Sequence, residues 1–265
     1  MFDYFKDAES FKEASGYIID GKWYPRVTKI LSIKAKPALY RFYAEQENFK
    51  ASQAITERSA AEGTLVHEAV EAILLGQNPE VAPLIAPAIK AFEQFLQSKN
   101  IQTAPEYVER QIFHPEHRYA GTIDVMALID GKFGVLDIKT SQAIYRDYNL
   151  QTAAYMSALK DQFQHLQTRW ILKIDQIQTC LKCGATRRNK GGREKISFWL
   201  KNGFSNGSSN KEKMKTCEHD WSEVKGDIEF QEFPYWQNDF EAFLGAKKLW
   251  EWENEFWLKK VGYLS

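Results

Sequence analysis

The stretch GTIDVMALIDGKFGVLDIK, residues 121–139, decides the fold that the sequence predicts. Apolar and β-branched residues run through 121–129 and again through 133–139, as in strands. Asp130-Gly131 between the two runs is a strong signal for a tight turn. We therefore expect an antiparallel hairpin over these residues.

The pattern outside this hairpin alternates between helices and strands. Gly76 and Pro79 mark the end of a long helical stretch upstream of the hairpin. Hydrophobic periodicity predicts helices over 52–75, 85–97, 149–159 and 237–258, and strands over 107–113, 168–174 and 228–233. The expected fold is therefore α/β, with a central mixed β-sheet flanked by helices.

Composition limits the class of protein. The 265 residues suffice for one core and a small additional module, and 44% hydrophobic residues are typical of a globular chain. Lys and Arg together number 35, as do Asp and Glu, so a nucleic-acid site would depend on local positive charge. Neither a signal peptide nor a membrane span is recognisable. We therefore expect a cytosolic protein with reduced cysteines and no membrane partner.

Two carboxylates and one ammonium group lie on the predicted hairpin. Side chains alternate across a strand, so Asp124 shares a face with Thr122 and Met126, and Asp137 shares a face with Lys139. Neighbouring strands would then direct Asp124, Asp137 and Lys139 to one point. The alternative is a simple salt bridge between Asp137 and Lys139 on an exposed face of the sheet.

A divalent cation would satisfy these carboxylates. Magnesium takes hard oxygen ligands and keeps several waters, so the two aspartates and the backbone carbonyl of Ile138 would leave room for water and a phosphate oxygen. A metal-bound water is a better nucleophile. Lys139 could orient or deprotonate that water and offset developing negative charge. The hairpin thus predicts a magnesium site for phosphoryl chemistry.

Two further polar pairs lie four positions apart on predicted helices. His67 and Glu71 share a helix face, and a neutral histidine ring can hold a metal ion. The alternative is a histidine paired with glutamate at a helix surface. Gln151 and Tyr155 follow the hairpin on the next helix, where they are either contacts to the DNA backbone or a half-buried polar pair. Neither pair identifies a function by itself.

Taken in order, these motifs resemble the RecB-type exonuclease branch of the PD-(D/E)XK nuclease superfamily. The family's pattern is a helical His, a G-x-x-D strand, a D-x-K strand and a Q-x-x-x-Y helix. The matching stretches are HEAVE (67–71), GTID (121–124), VLDIKTS (135–141) and QTAAY (151–155). PRVTKILS (25–32) and KPALYRFYAEQ (36–46) are similar to phage and mitochondrial members. The resemblance covers about residues 24–175, with the final strand and helix.

The resemblance implies a restriction-endonuclease-like core and a role for each matching residue. The positions that match the family's ligands for Mg²⁺ or Mn²⁺ are His67, Asp124, Asp137 and the carbonyl of Ile138. Lys139 matches its catalytic lysine, Gln151 and Tyr155 would steady the DNA strand, and Glu109 could add a carboxylate. The implied activity is hydrolysis of DNA to 5′-phosphates, often from an end, in recombination, repair or replication in a phage or its bacterial host.

All three cysteines lie in a polar stretch, 180–220, which interrupts the pattern of helices and strands. Cys180 and Cys183 form a C-x-x-C-G knuckle, whose tight turn brings two sulfurs together. Cys217 and His219 supply a second half. Three thiolates and one imidazole satisfy tetrahedral zinc. The alternative is that Cys217 and His219 are incidental surface residues.

The same stretch is the most basic part of the chain. Between positions 187 and 215, against Glu194 and Glu212, it carries Arg187, Arg188, Lys190, Arg193, Lys195, Lys201, Lys211, Lys213 and Lys215. Basic side chains on a small zinc module suit phosphate contact, although a solvated charged face is the alternative. We expect Arg187, Arg188, Lys190 and Arg193 to bind DNA. The chain then divides into a nuclease core, 1–175 and 225–265, and an inserted zinc-binding module, 176–224.

These motifs leave three functions open. The first is a metal-dependent DNA nuclease, for which exonuclease action is expected. The second is a non-catalytic protein that binds DNA or recruits partners through the zinc insert. The third treats the insert as a docking surface for a recombination or replication protein, and it is compatible with the first. The intact set of His67, Asp124, Asp137 and Lys139 favours the enzyme, because binding alone does not need it.

Overall fold

The structure, a computed structural model, describes residues 5–197 and 216–265 of the chain. The helices are α1 (Ala8–Ser15), α2 (Val27–Ile30), α3 (Pro37–Ala44), α4 (Phe49–Leu74), α5 (Ala86–Ser98), α6 (Asp147–Leu159), α7 (Gln237–Glu253) and α8 (Glu255–Lys260). The strands are β1 (Gly16–Ile19), β2 (Lys22–Pro25), β3 (Ile101–Gln102), β4 (Val108–His114), β5 (Tyr119–Ile129), β6 (Lys132–Lys139), β7 (Thr168–Thr179), β8 (Thr186–Lys190), β9 (Arg193–Ser197) and β10 (Lys225–Glu232).

A mixed sheet stands at the centre of the fold. β5 and β6 form the predicted antiparallel hairpin, and β6 pairs in parallel with β7 after the crossover through α6. β3 and β4 pair with opposite ends of β5, β10 pairs with β7, and the β8–β9 hairpin extends the last residues of β7. The prediction of an α/β fold with a mixed central sheet and flanking helices is confirmed.

The sheet separates two hydrophobic clusters. Along β6, Val135 belongs to the cluster under α6 and α7, while Leu136 and Ile138 belong to the cluster under α4 and α5. This is the alternation that a strand with two buried faces requires. β5 departs from it, because Ile123 and Met126 lie three residues apart and both join the cluster under α6. The predicted single face for Thr122, Asp124 and Met126 is therefore interrupted.

The sheet extends into the region predicted as an insertion. The strand predicted over 168–174 continues to Thr179 because β10 pairs with it as far as Ile177. β8 then pairs with the final two residues of β7, and β9 pairs with β8. The β8–β9 hairpin is therefore built onto the central sheet.

The C-terminal helix predicted over 237–258 is two helices. α7 ends at Glu253, where the side chain of Asn254 donates a hydrogen bond to the carbonyl of Trp250 (2.8 Å), and α8 follows directly. Phe243 and Trp250 join the cluster under α6. Among the helices that the structure describes, none has both the length and the apolar character needed to cross a membrane.

Gly134 on β6 allows β6 and β7 to approach each other, so Gly134→Ala tests the packing of the sheet. A Cβ at this position would lie 2.2 Å from the carbonyl oxygen of Thr168 and 2.6 Å from the Trp170 ring. Because the added methyl group would force the backbone of β7 to shift, we expect the free energy of unfolding to fall by about 1–3 kcal/mol. Urea or thermal unfolding followed by circular dichroism would measure it.

The matched control is Gly245→Ala on α7. Its Cβ would meet no atom within 4 Å, and alanine is the better helix former by up to about 1 kcal/mol. This variant should be as stable as the wild type or more stable. Equal stability of Gly134→Ala and the wild type would contradict the close contact between β6 and β7.

Candidate functional site

The candidate site forms where β5 and β6 separate. Their ladder of paired residues ends at Val125 and Leu136. Beyond this point the backbone N–H of Ile138 donates a hydrogen bond to Oδ2 of Asp124, with an N···O distance of 2.6 Å. The carboxylate of Asp124 thus replaces a ladder partner and lies close enough to Asp137 to raise its pKa.

Asp137 is the centre of a hydrogen-bonded group. It is 1% exposed, and its two carboxylate oxygens lie 2.8 and 2.7 Å from Nζ of Lys139. From α6, Nε2 of Gln151 donates both to Oδ1 of Asp137 (3.1 Å) and to the hydroxyl oxygen of Tyr155 (3.0 Å). The structure therefore joins the D-x-K and Q-x-x-x-Y residues into one group.

Gly121 makes room for this group. A Cβ on Gly121 would lie 2.6 Å from the Tyr155 ring. The glycine of the G-x-x-D stretch thus allows α6 to pack closely against β5. This close approach places Tyr155 and Gln151 over the end of the hairpin that carries Asp124.

Burial governs the protonation of the site. It raises the pKa of Asp137 to about 6 despite the opposing charge of Lys139, and it raises the pKa of Asp124 as well. Burial alone would lower the pKa of the Lys139 ammonium, but Asp137 and Asp124 raise it above its ordinary value. The buried carboxylate of Asp137 and the half-buried carboxylate of Asp124 thus share one ammonium, and a further cation would complete the charge balance.

An open groove of about 500 Å³ lies beside Asp124. The residues that line it come from α4, β4, β5 and the segment after β6, and include His67, Glu71, Glu109, Asp124 and Thr140. Burial, and then the charge of Lys139, lowers the pKa of His67, so its ring is neutral near pH 7. A neutral imidazole can act as a metal ligand, and the predicted His67 shares the groove with Asp124.

β4 is irregular at Glu109, beside Asp124. The φ angle of Glu109 is +47°, which residues other than glycine rarely adopt, and the pairing of β4 with β5 skips Glu109 and Asp124. Burial and the charge of Asp124 raise the pKa of Glu109 to about 7. Strained backbone of this kind is concentrated at functional sites. Glu109, which the resemblance suggests only as an additional carboxylate, therefore lies beside Asp124 in the structure.

The β8–β9 hairpin contacts the backbone next to Lys139. Arg188 forms an ion pair with Asp175 on β7, and its guanidinium also donates to the carbonyl of Thr140 (3.3 Å). Nζ of Lys190 donates to the same carbonyl. Because Thr140 directly follows Lys139, Arg188 and Lys190 hold the end of β6 in place.

The turn of this hairpin packs against α4, the helix that carries His67. The N–H of Gly191 donates to the Glu62 carboxylate (2.9 Å), and Nε of Arg58 donates to the carbonyl of Gly191 (3.0 Å). A Cβ on Gly191 would lie 2.1 Å from Oγ of Ser59. The predicted insertion therefore supports two walls of the groove, α4 and the end of β6.

The other two predicted DNA-binding arginines also have partners within the protein. Arg187 donates to the side chain of Gln178 (2.7 Å) and lies over the ring of Trp221 (4.7 Å). Arg193 forms an ion pair with Glu45 (3.1 Å). DNA binding by these residues stays a prediction. Outside the described residues lie Lys201, Lys211, Glu212, Lys213 and Lys215.

The predicted zinc ligands Cys180, Cys183, Cys217 and His219 form one cluster. Their ligand atoms all lie within 4.8 Å of one another. Sγ of Cys180 and Cys217 are 4.0 Å apart, and Sγ of Cys183 is 3.4 Å from Nδ1 of His219. A tetrahedral ion with Zn–S bonds of about 2.3 Å and Zn–N bonds of about 2.0 Å needs ligand separations of about 3.5–3.8 Å. The cluster could therefore hold a metal ion such as zinc.

The backbone around Cys180 favours this use. The N–H of Gly184, whose φ angle is +75°, donates to the carbonyl of Cys180 (2.9 Å) and closes the knuckle. Burial raises the pKa of the Cys180 thiol, but hydrogen bonds from the Cys183 backbone and the His219 side chain outweigh it and bring the pKa to about 6. The thiolate is the form that binds metal.

The sequence motifs do not predict two charged residues on β7 beside the site, Lys173 and Asp175. Lys173 pairs with Lys139 in the parallel register, is 1% exposed and donates to Asp227 (2.6 Å). Asp175, two residues further along β7, holds Arg188. The K-I-D alternation at 173–175 is the signal that could have revealed them, because it repeats the charged alternation of D-I-K on β6.

Comparison of the chain with protein-family models and with curated proteins returns no match. Membership of the PD-(D/E)XK nucleases therefore stays a prediction, and the function of the chain is inferred from the residues of the site.

Proposed function

We propose that this chain is a metal-dependent DNA nuclease of the PD-(D/E)XK type, acting as an exonuclease. The observation that carries the proposal is the meeting of Asp124, Asp137 and Lys139 at the end of the β5–β6 hairpin, where Gln151 holds Asp137. The groove lined by Asp124 and His67 is open, as attack on a phosphodiester requires. A restriction-endonuclease-like core belongs to the same proposal.

The donor groups suit a hard divalent cation, Mg²⁺ or Mn²⁺. Asp124, Asp137, His67 and the carbonyl of Ile138 would hold it. Asp137, which is buried, and Asp124, which is half-buried, share the ammonium of Lys139, and this excess of negative charge supports the assignment of a cation. When bound, such a cation would activate a water molecule and offset charge on the phosphoryl group.

The chain's own residues supply charge and orientation. Without a bound cation, Asp137 and Asp124 raise the pKa of the Lys139 side chain, and its ammonium form would stabilise negative charge on the phosphoryl oxygens. Gln151 fixes the orientation of Asp137 and Tyr155 through its two hydrogen bonds. A bound cation would offset the two carboxylates and lower the pKa of Lys139 again, so a role as a base stays a prediction beside the electrostatic role.

The direct test uses three DNA substrates: end-labelled linear duplex, single strands and closed circles. Each is incubated with the purified protein and with Mg²⁺ or chelator. We expect Mg²⁺-dependent release of label from linear DNA while closed circles stay intact. Cleavage of the circles would replace exonuclease with endonuclease action, and no cleavage of any substrate would reject the proposal.

Metal binding at this site should release protons. Burial raises the pKa of Asp137 to about 6 and that of Glu109 to about 7, so at pH 6 both carboxyl groups hold protons for part of the time. A bound cation favours their ionised forms. We therefore expect Mn²⁺ affinity to rise as pH increases from about 5.5 to 7.5, with about one to two protons released per ion at pH 6.

Isothermal titration calorimetry in two buffers of different ionisation enthalpy measures that proton release. The cysteine cluster is first saturated with zinc so that it does not compete for the ion. Glu109→Gln should release fewer protons than the wild type at pH 6. An Mn²⁺ affinity that does not change with pH would show that these carboxyls do not hold the ion.

For the Cys180, Cys183, Cys217 and His219 cluster we propose structural zinc. Four protein ligands leave no position for substrate, which is the arrangement of a structural rather than a catalytic ion. The cluster lies at the end of β7, from which the β8–β9 hairpin reaches Thr140 and α4. Zinc would thus stabilise the hairpin that supports the groove.

The same cluster favours one second candidate, a non-catalytic protein that binds DNA or a recombination or replication partner through the insert. Zinc-dependent DNA binding without cleavage of any substrate would support it. A pull-down with and without 180–220 would show whether a protein partner docks there.

A further inference from the structure

Two aromatic rings, one of them exposed, lie near Lys139. Its ammonium is 5.1 Å from the centroid of the Tyr148 ring, and Tyr145 meets Tyr148 edge to face at 5.7 Å. Tyr145 is 46% exposed. Since both separations share the Tyr148 ring, the Tyr145 ring lies at most about 11 Å from the ammonium, or roughly three nucleotides at the 3.4 Å spacing of a stacked strand.

A second group of rings lies on α3 and the start of α4. Phe42 and Tyr43 have ring centroids 5.5 Å apart, and Tyr43 and Phe49 6.1 Å apart. Phe49 is 57% exposed and Tyr40 is 58% exposed. Phe42 and Tyr43 are half-buried, so this segment presents exposed rings at Tyr40 and Phe49 with two partly accessible rings between them in the chain, as at a binding surface.

Contacts through β9 connect the two groups of rings. Arg193 lies over the Phe42 ring (4.7 Å) and forms its ion pair with Glu45, at the end of α3. On the same strand, Nζ of Lys195 donates to the side chain of Gln142 (2.8 Å), in the loop between β6 and α6. The rings of α3 and those beside Lys139 therefore border one continuous part of the molecule.

We define the aromatic-basic surface as residues 34–50, 139–148 and 190–195. In these three segments basic residues outnumber acidic ones by nine to four, whereas the whole chain has 35 of each. Local positive charge next to exposed rings is the combination that binds single-stranded nucleic acid, through phosphates and base faces together.

We propose that the aromatic-basic surface binds an unpaired DNA strand and leads it to Lys139, so that the substrate is single-stranded DNA or an overhanging end. This inference rests on the proposed function. Unpaired bases offer their faces to rings such as Tyr145 and Phe49, whereas a duplex hides those faces in its own stack. A single strand therefore gains from these rings, and a blunt duplex does not.

The test measures binding without cleavage, in the full chain carrying Asp124→Asn. Fluorescence anisotropy follows a short labelled oligothymidine and a blunt duplex at one fixed salt concentration. Tyr145→Ala and Phe49→Ala should each weaken oligothymidine binding about 5- to 100-fold and leave duplex binding unchanged. Tyr145→Phe keeps the ring and should retain the affinity. Trp252→Ala, which removes a 73% exposed ring outside the surface, is the matched control.

The outcomes separate this inference from the proposed function. An equal loss of affinity for oligothymidine and for the duplex would overturn the inference. Unchanged affinity for oligothymidine in both alanine variants would also overturn it, and would point to a protein as the occupant of the surface. Ring-dependent binding of single strands by a chain that cleaves nothing would support the inference and refute the nuclease. Cleavage at an unchanged rate in Tyr145→Ala and Phe49→Ala would support the nuclease and overturn the inference.

Discussion

Lys139→Ala is expected to lower metal-dependent cleavage of DNA at least about 10²-fold, because it removes the ammonium that faces the phosphoryl group. The variant should still fold. Asp137 already has a pKa of about 6 through burial, and without Lys139 beside it that pKa rises further. A larger share of Asp137 would then be protonated at pH 7, which reduces the uncompensated charge left in the site. Initial rates on end-labelled DNA, together with thermal unfolding, measure both effects.

Two further variants make this result specific. Lys139→Arg keeps the charge but replaces a compact ammonium with a planar group, and it should stay strongly impaired. Lys132 lies on the same strand, and Lys132→Ala removes only an exposed ion pair with Glu232. Such a pair contributes at most about 1 kcal/mol to the free energy of unfolding. Lys132→Ala should cleave at the wild-type rate. Wild-type cleavage by Lys139→Ala would remove this residue from the mechanism.

Cys183→Ser is expected to lose the bound zinc and to unfold at a markedly lower temperature. The wild-type chain should hold one zinc ion, because the four ligand atoms match one tetrahedral site. Loss of an ion that contributes about 3 kcal/mol or more would lower Tm by about 6–12 °C in a chain of this size. Elemental analysis after desalting and a thermal melt measure the two quantities.

The effect of zinc loss should reach the candidate site. The β8–β9 hairpin extends from the cluster and contacts Thr140 through Arg188 and Lys190. We therefore expect Cys183→Ser to cleave DNA more slowly than the wild type. Leu181→Ser is the matched control, since this 70% exposed residue lies in the same turn and is no ligand. Stoichiometric zinc in Cys183→Ser, or none in the wild type, would contradict the assignment.

Local sequence patterns suffice for much of the fold. The Asp130-Gly131 turn and the two apolar runs specify the β5–β6 hairpin because turn chemistry and strand propensity are local properties. Helix α4 is recognisable from its periodicity and ends close to Gly76, as predicted. The knuckle at Cys180 and Cys183 is likewise local, because its spacing alone brings two sulfurs together.

Tertiary contacts decide what local patterns do not. β7 is longer than predicted because β10 pairs with it as far as Ile177, and pairing of distant strands leaves no local signal. The sequence predicts an inserted zinc-binding module at 176–224 but not its contacts with the core, in which Lys190 contacts Thr140 and Gly191 contacts α4. Those contacts depend on how far the sheet extends.

At the candidate site, the sequence by itself determines which chemical groups are present, and the tertiary structure decides how they meet. The two-residue period of a strand puts Asp137 and Lys139 on one face, and the helical period puts Gln151 and Tyr155 on another. Only the fold separates β5 from β6 beyond Leu136, turns the Ile138 N–H to Asp124 and strains Glu109. The physical reason is that periodicity acts over a few residues, whereas burial and charge at the site depend on segments far apart in the chain.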